Sequence, residues 1–84
     1  MKDISTTIGI DVGDKHSHMY VLDEKTGEEL EQTRIQTTPL AVKRYFRGRN
    51  GDRVVLEVGC HSGWMSRLIL EVSDSDVLVA DPRK

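Results

Sequence analysis

Two carboxylates stand among apolar residues and set the chemistry to be explained. Asp11 lies in residues 8–13, IGIDVG, and Glu57 lies in residues 53–59, RVVLEVG. In the first stretch Ile8, Ile10 and Val12 alternate with Gly9, Asp11 and Gly13, the period-two pattern of a strand with two different faces. In the second, Val54, Leu56 and Val58 share one face, and Val55 and Glu57 share the other. A lone charge is rarely buried without a partner or a metal. Two glycines beside Asp11 leave space over its face for an ion or a phosphate. If the two strands are neighbours, both carboxylates reach the C-terminal end of a sheet on one face, where open α/β sheets hold ligands. Hard oxygen donors so placed suit Mg²⁺ or Mn²⁺. Two such ions about 3.5–4 Å apart activate a nucleophile and stabilise a leaving oxygen in phosphodiester chemistry. Taken singly, Asp11 could cap the following turn and Glu57 could pair with a lysine. Taken together, they favour a site, though two carboxylates make a thin coordination shell.

Other candidates surround this pair. Lys15, in the turn after Asp11, is a possible phosphate contact. His61, between Gly59 and Ser62, could orient a phosphate or a water. Lys43, Arg44 and Arg47, with Arg49 and Arg53, crowd one segment and form either a solvated helix face or a phosphate-binding patch. His16 and His18 share one face of a strand, where exposed histidines are the simpler reading than a metal site. Cys60 beside His61 raises the idea of a thiol nucleophile, which nothing else in the sequence supports. Trp64, on the first turn of a helix, reads as packing rather than base stacking.

The elements that must position these residues follow from periodicity. Strands are expected over residues 6–12 and 16–22, joined by the turn Gly13-Asp14-Lys15. DEKTG at 23–27 is a second turn signal, and a mostly polar strand over 29–36 suits an edge. Thr38 and Pro39 start a helix as N-cap and first helical residue. Val42, Tyr45 and Phe46 form its apolar stripe, and Gly48 or Gly51 ends it. Residues 53–58 form a buried parallel strand. Ser62 caps a second helix with Met65, Leu68, Ile69 and Val72 on one face. Residues 77–80 form a last apolar strand. The order β-β-β-α-β-α-β, with right-handed βα units, predicts a mixed α/β sheet of strand order 3-2-1-4-5, the ribonuclease-H-like arrangement.

Composition narrows the class. At 84 residues the chain is at most one small domain, burying only about 60–65% of its extended surface. A net charge of −2 gives no global basic field to draw in nucleic acid. One cysteine, Cys60, rules out an intramolecular disulfide and fits a reducing compartment. No apolar run approaches the roughly 20 residues of a membrane span, and MKDISTT lacks the apolar core of a signal peptide, so cytoplasmic residence is the default. The last strand leads into Asp81, Pro82, Arg83 and Lys84 and stops where a covering helix is expected. The chain therefore reads as part of a longer protein.

The blocks IGIDVGDKHSHMYVLD, RIQTTPLAVKRYF, VVLEVGCHSGWMSRLI and VLVADPRK, in that order, resemble the N-terminal catalytic domain of DEDD-type transposases. These are the Piv-invertase-like recombinases of the insertion-sequence one-ten group. The resemblance covers nearly the whole chain, and the ordered set is more specific than any single block. It implies a RuvC-like, ribonuclease-H-type fold and Mg²⁺- or Mn²⁺-dependent DNA strand cleavage and exchange. Asp11 matches the family's first acidic residue and Glu57 its second. The last two aspartates, in a D-x-x-D helix, and a serine nucleophile lie in segments this chain does not contain. Asp81 is not one of them. The resemblance also implies DNA as partner, a structured guide RNA, homo-oligomerisation of the whole protein, and an inactive fragment. Two alternatives stand beside it. One is an actin-like ATPase or sugar-kinase hairpin, although that class places Ser or Thr where Asp14 follows Gly13. The other is a non-catalytic RuvC-like scaffold domain.

Overall fold

A computed structural model describes residues 5–81. The basic pair Arg83 and Lys84 and the start of the N-terminal segment lie outside the described residues. The elements are β1 (Thr6–Val12), β2 (His16–Asp23), β3 (Glu29–Gln36), α1 (Pro39–Phe46), β4 (Asn50–Glu57), α2 (Ser62–Val72) and β5 (Asp74–Ala80). They build one five-stranded sheet in the order β3-β2-β1-β4-β5. β2 is antiparallel to both β1 and β3, whereas β4 is parallel to both β1 and β5. The mixed α/β sheet and the strand order are those the periodicity predicts.

Alternation along the strands decides which face is covered. Ile8 and Ile10 of β1, Met19 and Val21 of β2, and Val54 and Leu56 of β4 point to one side. There they pack with Val42 and Phe46 of α1 and Met65 and Ile69 of α2 in a single core. Burial of these side chains supplies most of the drive to fold, at about 1.5–3 kcal/mol for each large one. Both helices therefore lie over one face of the sheet. The other face carries Gly9, Asp11, Tyr20, Val55 and Glu57, and no described helix covers it.

Local signals explain the helix ends. The Thr38 hydroxyl accepts from the Ala41 N–H at 3.2 Å, and Pro39 opens α1. After Phe46 the chain leaves the helix at Arg47, and Gly48 takes a left-handed φ of 83° that a side chain would resist. Ser62 departs from its expected role. His61 is the N-cap of α2 and makes no side-chain cap bond. Ser62, the first helical residue, is buried, and its hydroxyl donates to the Gly59 carbonyl at 2.8 Å and accepts from the Gly59 N–H at 3.1 Å. It closes the loop after β4 rather than capping the helix, because a hydroxyl one residue inside the turn is nearer the loop than the free helical amides.

The last two strands begin earlier than the apolar runs indicate. β4 starts at Asn50 rather than 53, and β5 at Asp74 rather than 77. The extra residues pair in an irregular ladder, Asn50 with Asp74 and Arg53 with Asp76. Their polarity hid them from a search for hydrophobic runs. β4 also ends at Glu57, so Val58 falls in the following loop and is 48% exposed.

Candidate functional site

The register brings the two carboxylates together. β1 and β4 run parallel with Gly9 beside Val55 and Ile10 beside Leu56. One step further along both strands places Asp11 and Glu57 side by side, at the C-terminal end of each strand and on the uncovered face. On the other flank of Asp11 lies His18, with Arg34 of β3 beyond it. Beyond Glu57 lies Ala80 of β5. The acidic pair thus sits near the centre of the sheet, with polar and aromatic residues on the β2–β3 side and apolar ones on the β5 side.

Burial corrects one premise. Both Asp11 and Glu57 are exposed. The face opposite the helices is open, so neither carboxylate is driven out of water. Among the described residues the buried carboxylate is Asp52, only 6% exposed, which accepts from the Thr6 hydroxyl. Its position before an apolar run, between Gly51 and Arg53, gave no sign of burial.

Among the described residues, neither the Asp11 nor the Glu57 side chain makes a hydrogen bond or an ion pair. The Asp11 side chain does not cap the turn after it, and Glu57 holds none of the described lysines. The turn is held by other groups. The Thr37 hydroxyl donates to the Gly13 carbonyl at 2.7 Å and pairs with the buried Ser17 hydroxyl at 2.8 Å. The Thr37 N–H donates to the Lys15 carbonyl at 2.8 Å. These bonds tie the turn to the end of β3 and leave both acidic side chains free.

The carboxylates open into a pocket of about 530 Å³, within the usual size of ligand sites. Gly9 and Tyr20 form part of its floor, and Asp14 and His61 stand at its rim. A Cβ at Gly9 would meet nothing within 4 Å, so the space above β1 is open. Gly13 is different, since a Cβ there would collide with the His16 carbonyl oxygen. That close approach is what lets β1 reverse into β2 directly after Asp11.

The remaining sequence candidates separate. His61 lines the pocket. Lys15 is exposed in the turn beside it. Lys43 and Arg44 are exposed on α1 and Arg47 at its C-cap, across the sheet from the carboxylates, and Lys43 and Arg44 sit in the last helical turn, where cations favour the helix dipole. Arg49 and Arg53 are engaged with Glu31 at 3.4 Å and Glu24 at 3.1 Å. His18 stacks on Tyr20 with ring centroids 6.4 Å apart. Cys60 is exposed at the pocket but has no base to activate it, because both ring nitrogens of His61 are engaged elsewhere. Trp64 packs against the core, as its spacing indicates. Asp14 and Tyr20 are site residues that the sequence reading passed over. Asp14 looked like turn chemistry, and Tyr20 becomes visible only through its cross-strand pairing with Gly9.

Among the described residues no group of three or more His, Cys, Asp or Glu side chains is placed to hold a metal. Asp11 and Glu57 alone supply two hard oxygen donors without a competing cation. That suits Mg²⁺, which is commonly held by one or two carboxylates with waters and substrate phosphates completing the octahedron. No family model and no curated protein matches the chain. Among the described residues no helix is long and apolar enough to cross a membrane.

Proposed function

We propose that this chain is the first part of a ribonuclease-H-like, RuvC-like catalytic domain that cleaves and exchanges DNA strands, as in DEDD-type transposases. The observation that carries the reading is the pairing of Asp11 and Glu57. They lie on adjacent parallel strands, on one face, at the C-terminal ends, unpaired among the described residues and open to one pocket. A stability role would use such carboxylates in ion pairs, and these are kept free.

In this reading Asp11 and Glu57 hold Mg²⁺ or Mn²⁺, which when bound polarises a scissile phosphate and lowers the pKa of an attacking water or hydroxyl. The rest of the work belongs to the chain. The core under β1 and β4 fixes the lateral spacing of the two carboxylates. Gly9 keeps the floor open so that a sugar-phosphate backbone can approach the sheet. Asp14 at the rim adds negative charge, which supports a cation-binding pocket over the phosphate-cradling hairpin of actin-like ATPases. The two further aspartates of the family's set would come from a helix that follows β5 in the longer protein. DNA, a structured guide RNA, homo-oligomerisation and a cytoplasmic setting belong to the same proposal.

Manganese titration of the isotopically labelled chain tests the site. Mn²⁺ is expected to broaden the amide signals of Gly9, Val12 and Val58 before those of α1. Asp11→Asn and Glu57→Gln should each weaken that effect by at least about tenfold, the loss of one charged ligand being worth more than 1.4 kcal/mol. Broadening that survives both substitutions would overturn the assignment. In the longer protein, recombination at equal expression should be lost in Asp11→Ala and in Glu57→Ala.

A further inference from the structure

Three side chains at the rim form a chain of hydrogen bonds that neither the pocket nor the core requires. Trp64 Nε1 lies 3.0 Å from His61 Nδ1, and His61 Nε2 lies 3.2 Å from Asp14 Oδ1. An indole nitrogen only donates. His61 Nδ1 must therefore be the acceptor, and it carries no proton in this arrangement. The ring proton of the neutral imidazole is then on Nε2, where it donates to the Asp14 carboxylate. Trp64 thus decides the tautomer, and the tautomer decides that His61 can reach Asp14 as a donor.

The span of this chain gives it a role. Asp14 belongs to the turn that follows Asp11, and His61 to the loop that follows Glu57. Both lie past the last ladder pair between β1 and β4, Ile10 with Leu56. Beyond that pair no described backbone bond joins the two segments, so the polar bridge is what links them at the pocket mouth. Its inner end is firm, because Trp64 is half-buried against the core and meets the His61 ring edge-on at 5.9 Å. Its outer end is loose, since the Asp14 side chain is 90% exposed.

We infer that His61 is a positioning residue, locked as the Nε2–H tautomer by Trp64, that braces the two loops carrying the chain beyond Asp11 and Glu57 and so sets the opening of the acidic pocket. It is not a catalytic base, because both ring nitrogens are committed. The effect on the pocket rests on the metal-site reading above; the tautomer does not.

Two measurements on the chain test it. Ring ¹⁵N–¹H correlation spectra should show His61 protonated at Nε2 and accepting at Nδ1, and Trp64→Phe should release it into a mixture of tautomers. A His61 ring protonated at Nδ1 in the unsubstituted chain would overturn the inference. Mn²⁺ affinity, read by broadening of pocket amides, should fall about threefold in His61→Ala, the size expected for a bridge with one exposed end. His61→Gln should recover it, because its amide oxygen can accept from Trp64 while its nitrogen donates to Asp14. Affinity unchanged in His61→Ala, with Asp11→Asn still weakening binding by about tenfold or more, would overturn the bracing role and leave the metal site standing. Affinity unchanged in Asp11→Asn would instead remove the metal reading, and with it the effect on the pocket.

Discussion

Gly9 and Gly13 flank Asp11 symmetrically in the sequence and differ completely in space. A methyl group at Gly9 enters open pocket, whereas one at Gly13 strikes the His16 carbonyl oxygen. Gly13→Ala must shift the backbone of the turn and is expected to cost about 1–3 kcal/mol, as backbone strain does elsewhere. Gly9→Ala should leave stability unchanged or raise it by up to about 1 kcal/mol, through the lower entropy of the unfolded chain. Urea unfolding of the two variants checks the contrast, and equal losses would contradict it. The pair also marks where sequence reading succeeds. The motif placed a carboxylate among glycines and Asp11 is at a pocket, but alternation alone could not tell an open face from a buried one. Asp11 was expected to be a buried charge in need of a partner and is exposed, while Asp52, the buried carboxylate among the described residues, sits between Gly51 and Arg53, which gave no sign of burial.

At the scale of elements, signals with a local cause were readable and those with a tertiary cause were not. Thr38 and Pro39 start α1 because a hydroxyl and a fixed φ act within one turn. The early parts of β4 and β5 have no such local signal; they are strands because of their neighbours, Asn50 pairing with Asp74 across the two and Asp52 with Thr6 of β1. The seat of α1 on β3 shows a third kind of contact. The Tyr45 ring lies beneath the Arg49 guanidinium, 4.5 Å from the centroid, and its hydroxyl is enclosed without a hydrogen-bond partner among the described residues. Burial pushes its phenol above the ordinary 10.0, with the Arg49 charge opposing. The unfolded chain therefore releases this proton first as pH rises. Stability from Tyr45 is complete below pH 10.0, falls above it, and levels off once the folded phenol ionises. Tyr45→Phe should remove that alkaline loss. It should change stability at neutral pH by no more than about 1 kcal/mol, because no hydrogen bond is broken. Chemical denaturation of both forms between pH 8 and about 11 checks this. A difference curve that stays flat across the range would contradict it.

The whole molecule is a sheet with one face under two helices and the other face bare among the described residues. That asymmetry gives the acidic pocket its access, and it also leaves apolar surface in water. Val55 and Leu78 are adjacent on the bare face, Leu78 is 56% exposed, and β5 is an outer strand with no further strand beside it among the described residues. Exposed apolar surface next to an open strand edge favours association, and a net charge of −2 gives little repulsion against it. The chain in isolation is therefore expected to self-associate as its concentration rises. Leu78→Lys should shift it to monomer, by placing a charge where a second sheet would pack, while leaving the core residues untouched. Sedimentation velocity over a hundredfold range of concentration distinguishes the outcomes. If Leu78→Lys associates as strongly as the unsubstituted chain, the contact lies elsewhere. If the unsubstituted chain is monomeric throughout, the polar half of the bare face, from Tyr20 to Arg34, outweighs the apolar half. Sequence alone puts β5 at the end of the sheet with a face uncovered, but the run 77–80 is apolar throughout, so only the register, which sets Leu78 beside Val55, shows which of its residues lies on the bare side.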